Sequence, residues 1–308
     1  MGKHVVAGAG QVGSLVAQQL MDQGHEVVVV SRSGSGPDGA RCEAADVADR
    51  DTLIALTKGA DALYNCVNPP YHRWQQDWPT MADALLATAE ATGAVYAMIG
   101  NLYIYGPPDG PMAESDSLNA SSAKAQVRVN MWQQALAAHD AGRARVTEVR
   151  GSDYFGPGCR DQSHLGERFV PRLLAGKPAR LVVSTSTPHS WTYVPDVATA
   201  VVVAATDERA WGRAWHVPTD APLSVRELAD RLCAIAGLPN PGVTTMPHWL
   251  VRVLGAVSPM LAEIEAIRYQ WDRPFVVDSS DFETTFGIAP TAMDEALAAT
   301  IAWWRESS

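Results

Sequence analysis

The run Val5-Val6-Ala7-Gly8-Ala9-Gly10-Gln11-Val12-Gly13 constrains the chain more than any other stretch. A short apolar segment, a glycine-punctuated turn and then residues at helical spacing (Val12, Leu15, Val16, Gln19, Leu20) read as strand, turn and helix. Gly8-x-Gly10-x-x-Gly13 in that setting is the arrangement in which glycines hold a dinucleotide pyrophosphate. One glycine permits the turn, one lets the backbone approach the anion, and Gly13 lets the helix pack closely on the strand. The free N–H groups at the helix start, around Gln11 and Val12, face the negative charge. The bland alternative is a glycine-rich turn that holds nothing. Gly24 then stops the helix, and His25-Glu26-Val27-Val28-Val29-Val30 is a β-branched run suited to a buried parallel strand.

The same alternation continues. Ser31-Arg32-Ser33-Gly34-Ser35-Gly36-Pro37 is a turn-rich loop, Ala40 to Ala45 a short strand, and Asp46 a candidate cap for the next helix, which spans Asp49 to Lys58 and stops at Gly59. A fourth strand, Ala62 to Val67, closes on Asn68-Pro69-Pro70. Then come a helix from about Pro79 to Thr92, a strand Val95 to Ile99, a helix from about Ser121 to Ala141 and a strand Arg145 to Val149. Strands alternating with helices predict an α/β fold, a Rossmann-type doubly wound parallel sheet over residues 1–150. Beyond Gly151 the elements shorten: helices around Phe169 to Ala175, after Asp196, over Ser224 to Ala236 and over Thr291 to Trp304, with a strand near Trp191. Residues 151–308 are expected to form mainly a smaller, substrate-binding lobe, with some segments returning to the core.

With 308 residues, 47% of them hydrophobic, the chain can bury a large core. A net charge of −10 argues against nucleic acid or an anionic membrane as partner, since both need concentrated positive charge. Cys42, Cys66, Cys159 and Cys233 form no CxxC pair, so reduced thiols are expected and no metal site. The first strand follows directly with no basic or apolar leader-like run, no apolar run approaches the ~20 residues of a membrane span, and a cytoplasmic monomer or homodimer is the expectation.

Several motifs together resemble the extended short-chain dehydrogenase/reductases, the NAD-dependent epimerase/dehydratase family. They are Gly8 to Gly13, Asp46-Val47, Tyr105-Gly106, Arg150 through Gly158, and Trp191-Thr192-Tyr193-Val194-Pro195-Asp196-Val197-Ala198. The likeness implies Asp46 and Val47 at the adenine, Cys66, Val67 and Asn68 near the ribose and nicotinamide, and Tyr154 and Phe155 beside the nicotinamide ring. It departs at position 7, where the family's glycine is Ala7 and Gly8 substitutes one residue later. At the end of the second strand, where an acidic residue would accept from a ribose 2′-OH, stands Ser31-Arg32-Ser33. A guanidinium between hydroxyls suits a 2′-phosphate, so NADP(H) is expected over NAD(H), the alternative being a solvated loop arginine.

The family's Tyr-x-x-x-Lys pair and serine are broken here. Lys124 takes the lysine position, Ala120 the tyrosine position and Asn101 the serine position. Lys124 is expected to hold the nicotinamide ribose, or else to be a solvated helix residue. Asn101 can donate from its amide to a carbonyl but is no proton source. Tyr103, Tyr105, Tyr154 and His189 are substitute acids, each with a packing role as alternative, and water or a substrate hydroxyl is a further proton source. His189 stands where sugar-nucleotide enzymes of the family carry an arginine. The loop from Asn68 to Trp78, with Tyr71 and Trp74, offers aromatic surface for a flat ligand or packs on itself. Together these features are similar to the atypical ketoreductases of aromatic polyketide pathways, the angucyclinone ketoreductases among them. The reading is an NAD(P)H-dependent reductase of a bulky, polycyclic aromatic or polyketide ketone, with Asn101, Tyr103 and Lys124 catalytic and Tyr71, Trp74, Asn101, Tyr103 and His189 against the substrate. A sugar epimerase or dehydratase, or a non-catalytic NADP(H) sensor, are the alternatives.

Overall fold

The computed structural model of the chain describes residues 1–247 and 267–307. It divides into two compact units: Met1–Gly106 with Leu118–Arg150 and Val197–Val217, and Pro107–Ser117 with Gly151–Asp196 and Pro218–Ser308.

The first unit is built on a seven-stranded sheet. Its elements are β1 (Lys3–Ala7), α1 (Gln11–Asp22), β2 (Glu26–Ser31), β3 (Arg41–Ala44), α2 (Arg50–Thr57), β4 (Ala62–Asn65), α3 (Trp74–Thr92), β5 (Val95–Asn101), α4 (Ala123–Asp140) and β6 (Val146–Gly151). A short edge strand, Ala214–His216, pairs in parallel with β6. Across the sheet the order is edge strand, β6, β5, β4, β1, β2, β3. β1 pairs in parallel with β2 and with β4, Val5 lying opposite Val28 on one side and Leu63 on the other. The order therefore reverses between β1 and β4, the switch point where open α/β sheets bind ligands at the strands' C-terminal ends. Val27 to Val30 are all buried, which is why β2 reads as an unbroken apolar run and not as an alternation. α1 packs Val12, Val16, Ala17 and Leu20 inward.

Three local expectations are corrected. The helix expected from about Pro79 begins at Trp74, with Pro79 inside it. An interior proline costs about 3 kcal/mol. Trp74 and Trp78, 2% and 0% exposed, offset that: each aromatic of this size buries about 150–250 Å², on the order of 4–6 kcal/mol at 25 cal/mol/Å². The cap of α2 is Asp49, whose carboxylate accepts from the Thr52 N–H; Asp46 instead turns back to the Ala48 N–H. Residues 107–117, inside the stretch expected to form the dinucleotide core, belong to the second unit, where Met112 bridges Val277.

The second unit contains two parallel strand pairs, Asp153–Phe155 with Trp191–Tyr193 and Ala179–Leu181 with Val243–Thr245. Around them lie helices Val170–Leu174, Val225–Ala236, Tyr269–Asp272, Ser280–Phe286 and Met293–Glu306. Its core gathers Phe155, Phe169, Trp191, Leu228, Trp271, Leu297 and Trp304. Ser224 and Glu227 close a reciprocal capping box at the start of Val225–Ala236. Among the described residues, no helix is long and apolar enough to cross a membrane.

Candidate active site

β1, β4 and β5 run in parallel and end at Ala7, Asn65 and Asn101, so the loops that follow share one edge of the sheet. At β1 the three glycines do separate things. Gly8 has φ +105°, and a Cβ there would stand 2.8 Å from the Cys66 carbonyl group. The conformational duty of the turn thus falls on Gly8, leaving Ala7, fully buried, as an ordinary strand residue. A Cβ on Gly13 would lie 1.9 Å from the Gly8 carbonyl oxygen, so Gly13 serves close packing of helix on turn. A Cβ on Gly10 would meet nothing within 4 Å. Gly10 is also the N-cap of α1, without a side-chain cap and without an acidic residue in the first turn. The N–H groups around Gln11 and Val12 therefore have no side-chain cap, a setting that favours an anion.

Beyond β2, the Ser31 hydroxyl donates to the Ser35 carbonyl and the Ser33 and Ser35 hydroxyls bond each other at 2.7 Å. Arg32 is exposed and is the cation this loop presents. The Asp77 carboxyl is held below its usual range chiefly by the bidentate Arg73 hydrogen bonds, with Arg32 adding to the effect. Val47 is buried beside Asp46. Cys66, Val67 and Asn68 follow β4 directly, and burial pushes the Cys66 thiol well above the ordinary range, leaving it a neutral packing group.

β5 ends at Asn101, which caps the one-turn helix Leu102–Tyr105 by accepting the Tyr103 N–H at 3.1 Å. That leaves the carboxamide NH₂ as its donor. The Tyr103 and Tyr71 hydroxyls are 2.7 Å apart. Tyr71 opens a single turn, Tyr71–Arg73, ahead of α3, and stacks on Trp74 at 4.7 Å between ring centroids. The Lys124 ammonium, on a side chain only 7% exposed, lies 4.4 Å from the Tyr71 ring centroid. Trp74 donates its indole N–H to the Pro69 carbonyl and sits beneath Tyr71, so Tyr71 supplies the outward aromatic surface of this corner. Arg128, one turn on from Lys124, is likewise buried; its guanidinium lies over Trp78 and donates to the Ile99 carbonyl. Ala120 precedes Ser122, the N-cap of α4, and so is not on the helix that carries Lys124.

Tyr105 is committed elsewhere. Arg150 donates to its hydroxyl oxygen at 2.8 Å, and the same hydroxyl shares a second hydrogen bond with His216 Nε2, also at 2.8 Å. Arg150 is paired with Glu148 at 2.6 Å, and all four side chains are buried. This network, and Arg128, escaped the reading of the sequence. The spacing of Lys124 and Arg128 by one helical turn was the available signal for the latter.

In the second unit His189 is a core residue, 1% exposed, stacked on Trp271 at 3.9 Å and bonded through Nε2 to Asp153 at 2.8 Å. Expected against the substrate, it is buried for its own unit's packing. Burial pushes the Asp153 carboxyl up, but the hydrogen bond from His189 and the charges of His189 and His164 outweigh it and hold the carboxyl below its usual range. Phe155 is also a core residue, so of the pair expected beside the nicotinamide only Tyr154 keeps a partly exposed side chain.

A Rossmann-type sheet with a glycine-rich turn at its switch point is the architecture in which many dinucleotide-binding proteins hold their cofactor. Residues 4–217 match the model of the NAD dependent epimerase/dehydratase family, and the chain belongs to that family. It is 27% identical over 261 residues to the 2-alkyl-3-oxoalkanoate reductase of Stenotrophomonas maltophilia, covering 77% of this chain and 76% of that one. Among solved structures it resembles MoeE5 in complex with UDP-glucose and NAD, with TM-score 0.80, 22% identity and 99% of each chain covered. It also resembles the UDP-N-acetylglucosamine 4-epimerase of Methanobrevibacter ruminantium, with TM-score 0.82, 16% identity, and 100% of this chain and 99% of that one covered. At such identities these structures share the fold.

Proposed function

We propose that the chain is an NADPH-dependent reductase of a bulky ketone. The observation that carries this reading is the corner formed by Asn101, Tyr103, Tyr71 and Lys124 at the same sheet edge as the glycine cradle. The uncapped start of α1 and the open space at Gly10 fit a dinucleotide pyrophosphate. Backbone from Gly8 to Gly13 would hold it, Arg32 with Ser31 and Ser33 the 2′-phosphate, Asp46 and Val47 the adenine, and Cys66, Val67, Asn68 and Lys124 the ribose and nicotinamide. Bound in its reduced form, the cofactor supplies hydride. The chain's own part is to orient the ketone and handle the proton: the Asn101 NH₂ donates to the carbonyl oxygen, and a phenol is at hand beside it. The stacked Tyr71 surface suits a flat aromatic or polyketide substrate. A reductase of 3-oxo acids among the relatives supports ketone chemistry.

The sugar reading draws on the UDP-sugar ligands of the structural neighbours. Against it, the residue standing where a pyrophosphate-gripping arginine would be, His189, is buried against Trp271. The test is NADPH oxidation with a panel of tetracyclic aromatic ketones, a 2-alkyl-3-oxoalkanoate and UDP-glucose, with cofactor binding followed in parallel. Turnover of a ketone is expected. Interconversion of UDP-glucose without ketone turnover would make the chain an epimerase, and NADPH binding with no reaction at all would make it a sensor.

A further inference from the structure

We propose that the buried network of Glu148, Arg150, Tyr105 and His216 is a brace that sets the position of Asn101, so that these four are positioning residues for the reduction and act through Asn101. The inference deepens the ketone-reductase reading and rests on it. The brace follows from strand geometry within the first unit. Glu148 and Arg150 are two apart on β6 and project to the same face. Parallel pairing sets His216 of the edge strand beside Arg150. Arg150 divides its guanidinium between the Glu148 carboxylate, through Nε at 2.6 Å, and the Tyr105 hydroxyl, through Nη1 at 2.8 Å. His216 Nε2 bonds that same hydroxyl.

Asn101 lies between two points of contact with this network. On its N-terminal side, a Cβ on Gly100 would stand 2.5 Å from Glu148 Oε1 and 3.0 Å from Arg150 Cγ, so the residue before Asn101 rests directly on the ion pair. On its C-terminal side, Tyr105 ends the single turn that Asn101 caps. Arg128 of α4 adds a third hold by donating to the Ile99 carbonyl. A buried ion pair adds little net stability, because desolvation offsets the attraction. Four polar side chains gathered under one turn are therefore explained by what they hold in place. Misplacing a group that orients the reacting atoms by about 1 Å costs about a hundredfold in rate.

Tyr105→Phe keeps the ring and removes the hydroxyl that Arg150 and His216 share, whereas Arg150→Lys keeps the charge and removes the fork. The first carries the test should the second fail to fold. On a ketone from the panel, at saturating NADPH, each should lower kcat by about ten- to a hundredfold with NADPH affinity unchanged. Groups that act through one another are non-additive, so Tyr105→Phe combined with Asn101→Ala should be no slower than Asn101→Ala alone. Undiminished kcat in Tyr105→Phe, or NADPH affinity lost in step with kcat, would overturn the brace. Losses that multiply in the double variant would also overturn it and make Tyr105 a proton donor in its own right. Should no ketone turn over with the unmutated protein, the ketone reading fails separately, and the brace is decided without substrate by amide hydrogen exchange. The Tyr103 N–H, held by the Asn101 side chain, should exchange about tenfold faster in Tyr105→Phe while the Val6 N–H inside β1 keeps its protection. An unchanged Tyr103 amide, or an equal loss at both amides, would sink it.

Discussion

The glycine cradle after β1 and the aromatic corner after β5 lie at the same edge of one sheet, yet they are made differently. The cradle is backbone: a positive-φ turn at Gly8, a tight contact at Gly13 and an open face at Gly10, all within six consecutive residues. The corner is side chain: two phenols, an ammonium and a carboxamide carried on four separate elements. A backbone site binds by shape and partial charge and is indifferent to what lies beyond the phosphates. A side-chain site sets the chemistry and can be rebuilt from other residues without disturbing the fold. That explains how Ala120 can stand at a position expected to carry a catalytic tyrosine while phenols still gather beside Lys124.

If the cradle is backbone, its largest failure should come from Gly13→Val. A Cβ would sit 1.9 Å from the Gly8 carbonyl oxygen, so either α1 or the turn must move. Overpacking of this kind costs roughly 1–3 kcal/mol of stability. The same shift misaligns the N–H groups around Gln11, so NADPH and NADH should both lose affinity, by about a hundredfold or more, equivalent to roughly 2.7 kcal/mol. Calorimetric titration of a variant shown to be folded by circular dichroism reads this directly. Undiminished binding would mean that the pyrophosphate lies elsewhere.

The contrast also accounts for what could be read in advance. β1, α1 and β2 were legible because their signals are local: a glycine spacing, a helical period and a run of valines buried on both faces. Pro79 misled because proline is usual at a helix start, and only the burial of Trp74 and Trp78 shows why this helix carries it inside. Asp46 and Asp49 are both credible caps by type, and the path of the chain alone decides between them. The edge strand Ala214–His216 is three residues long, too short for any period to register. His189 was placed by its offset from a motif, which says nothing about the Trp271 face it stacks on. Tyr71 and Tyr103 are each legible as aromatic candidates, but their hydrogen bond spans thirty-two positions and has no sequence signature.

Arg32→Ala should have a narrower effect than Gly13→Val, because it removes a side-chain contact from the rim of the cradle. A charge-assisted contact is worth about 1.5–3 kcal/mol. NADPH affinity should fall by about ten- to a hundredfold with NADH unchanged. Equal affinity of the unmutated protein for the two cofactors would remove Arg32 from the site. A loss for NADH as well would show that Arg32 supports the loop, where Ser31, Ser33 and Ser35 already bond among themselves.

The smallest expected effect is the most discriminating. Gly10→Ala introduces a methyl group that meets no atom of the protein within 4 Å, on a backbone at φ −75° and ψ −174° that alanine adopts readily. Alanine is a poorer N-cap than glycine, but it also restricts the unfolded chain, worth about 0.4–1 kcal/mol in its favour. These terms nearly cancel, so the melting temperature should barely move. The methyl projects from the uncapped end of α1 into the space where an anion would approach the N–H groups. Binding of NADPH and NADH should therefore weaken equally, by about tenfold, while stability stays put. This separates the two kinds of glycine: at Gly13 affinity and stability fall together, at Gly10 affinity falls alone. A Gly10→Ala variant that binds both cofactors as tightly as the unmutated protein would show that no phosphate comes close to this backbone, and would reduce the glycine pattern to a turn.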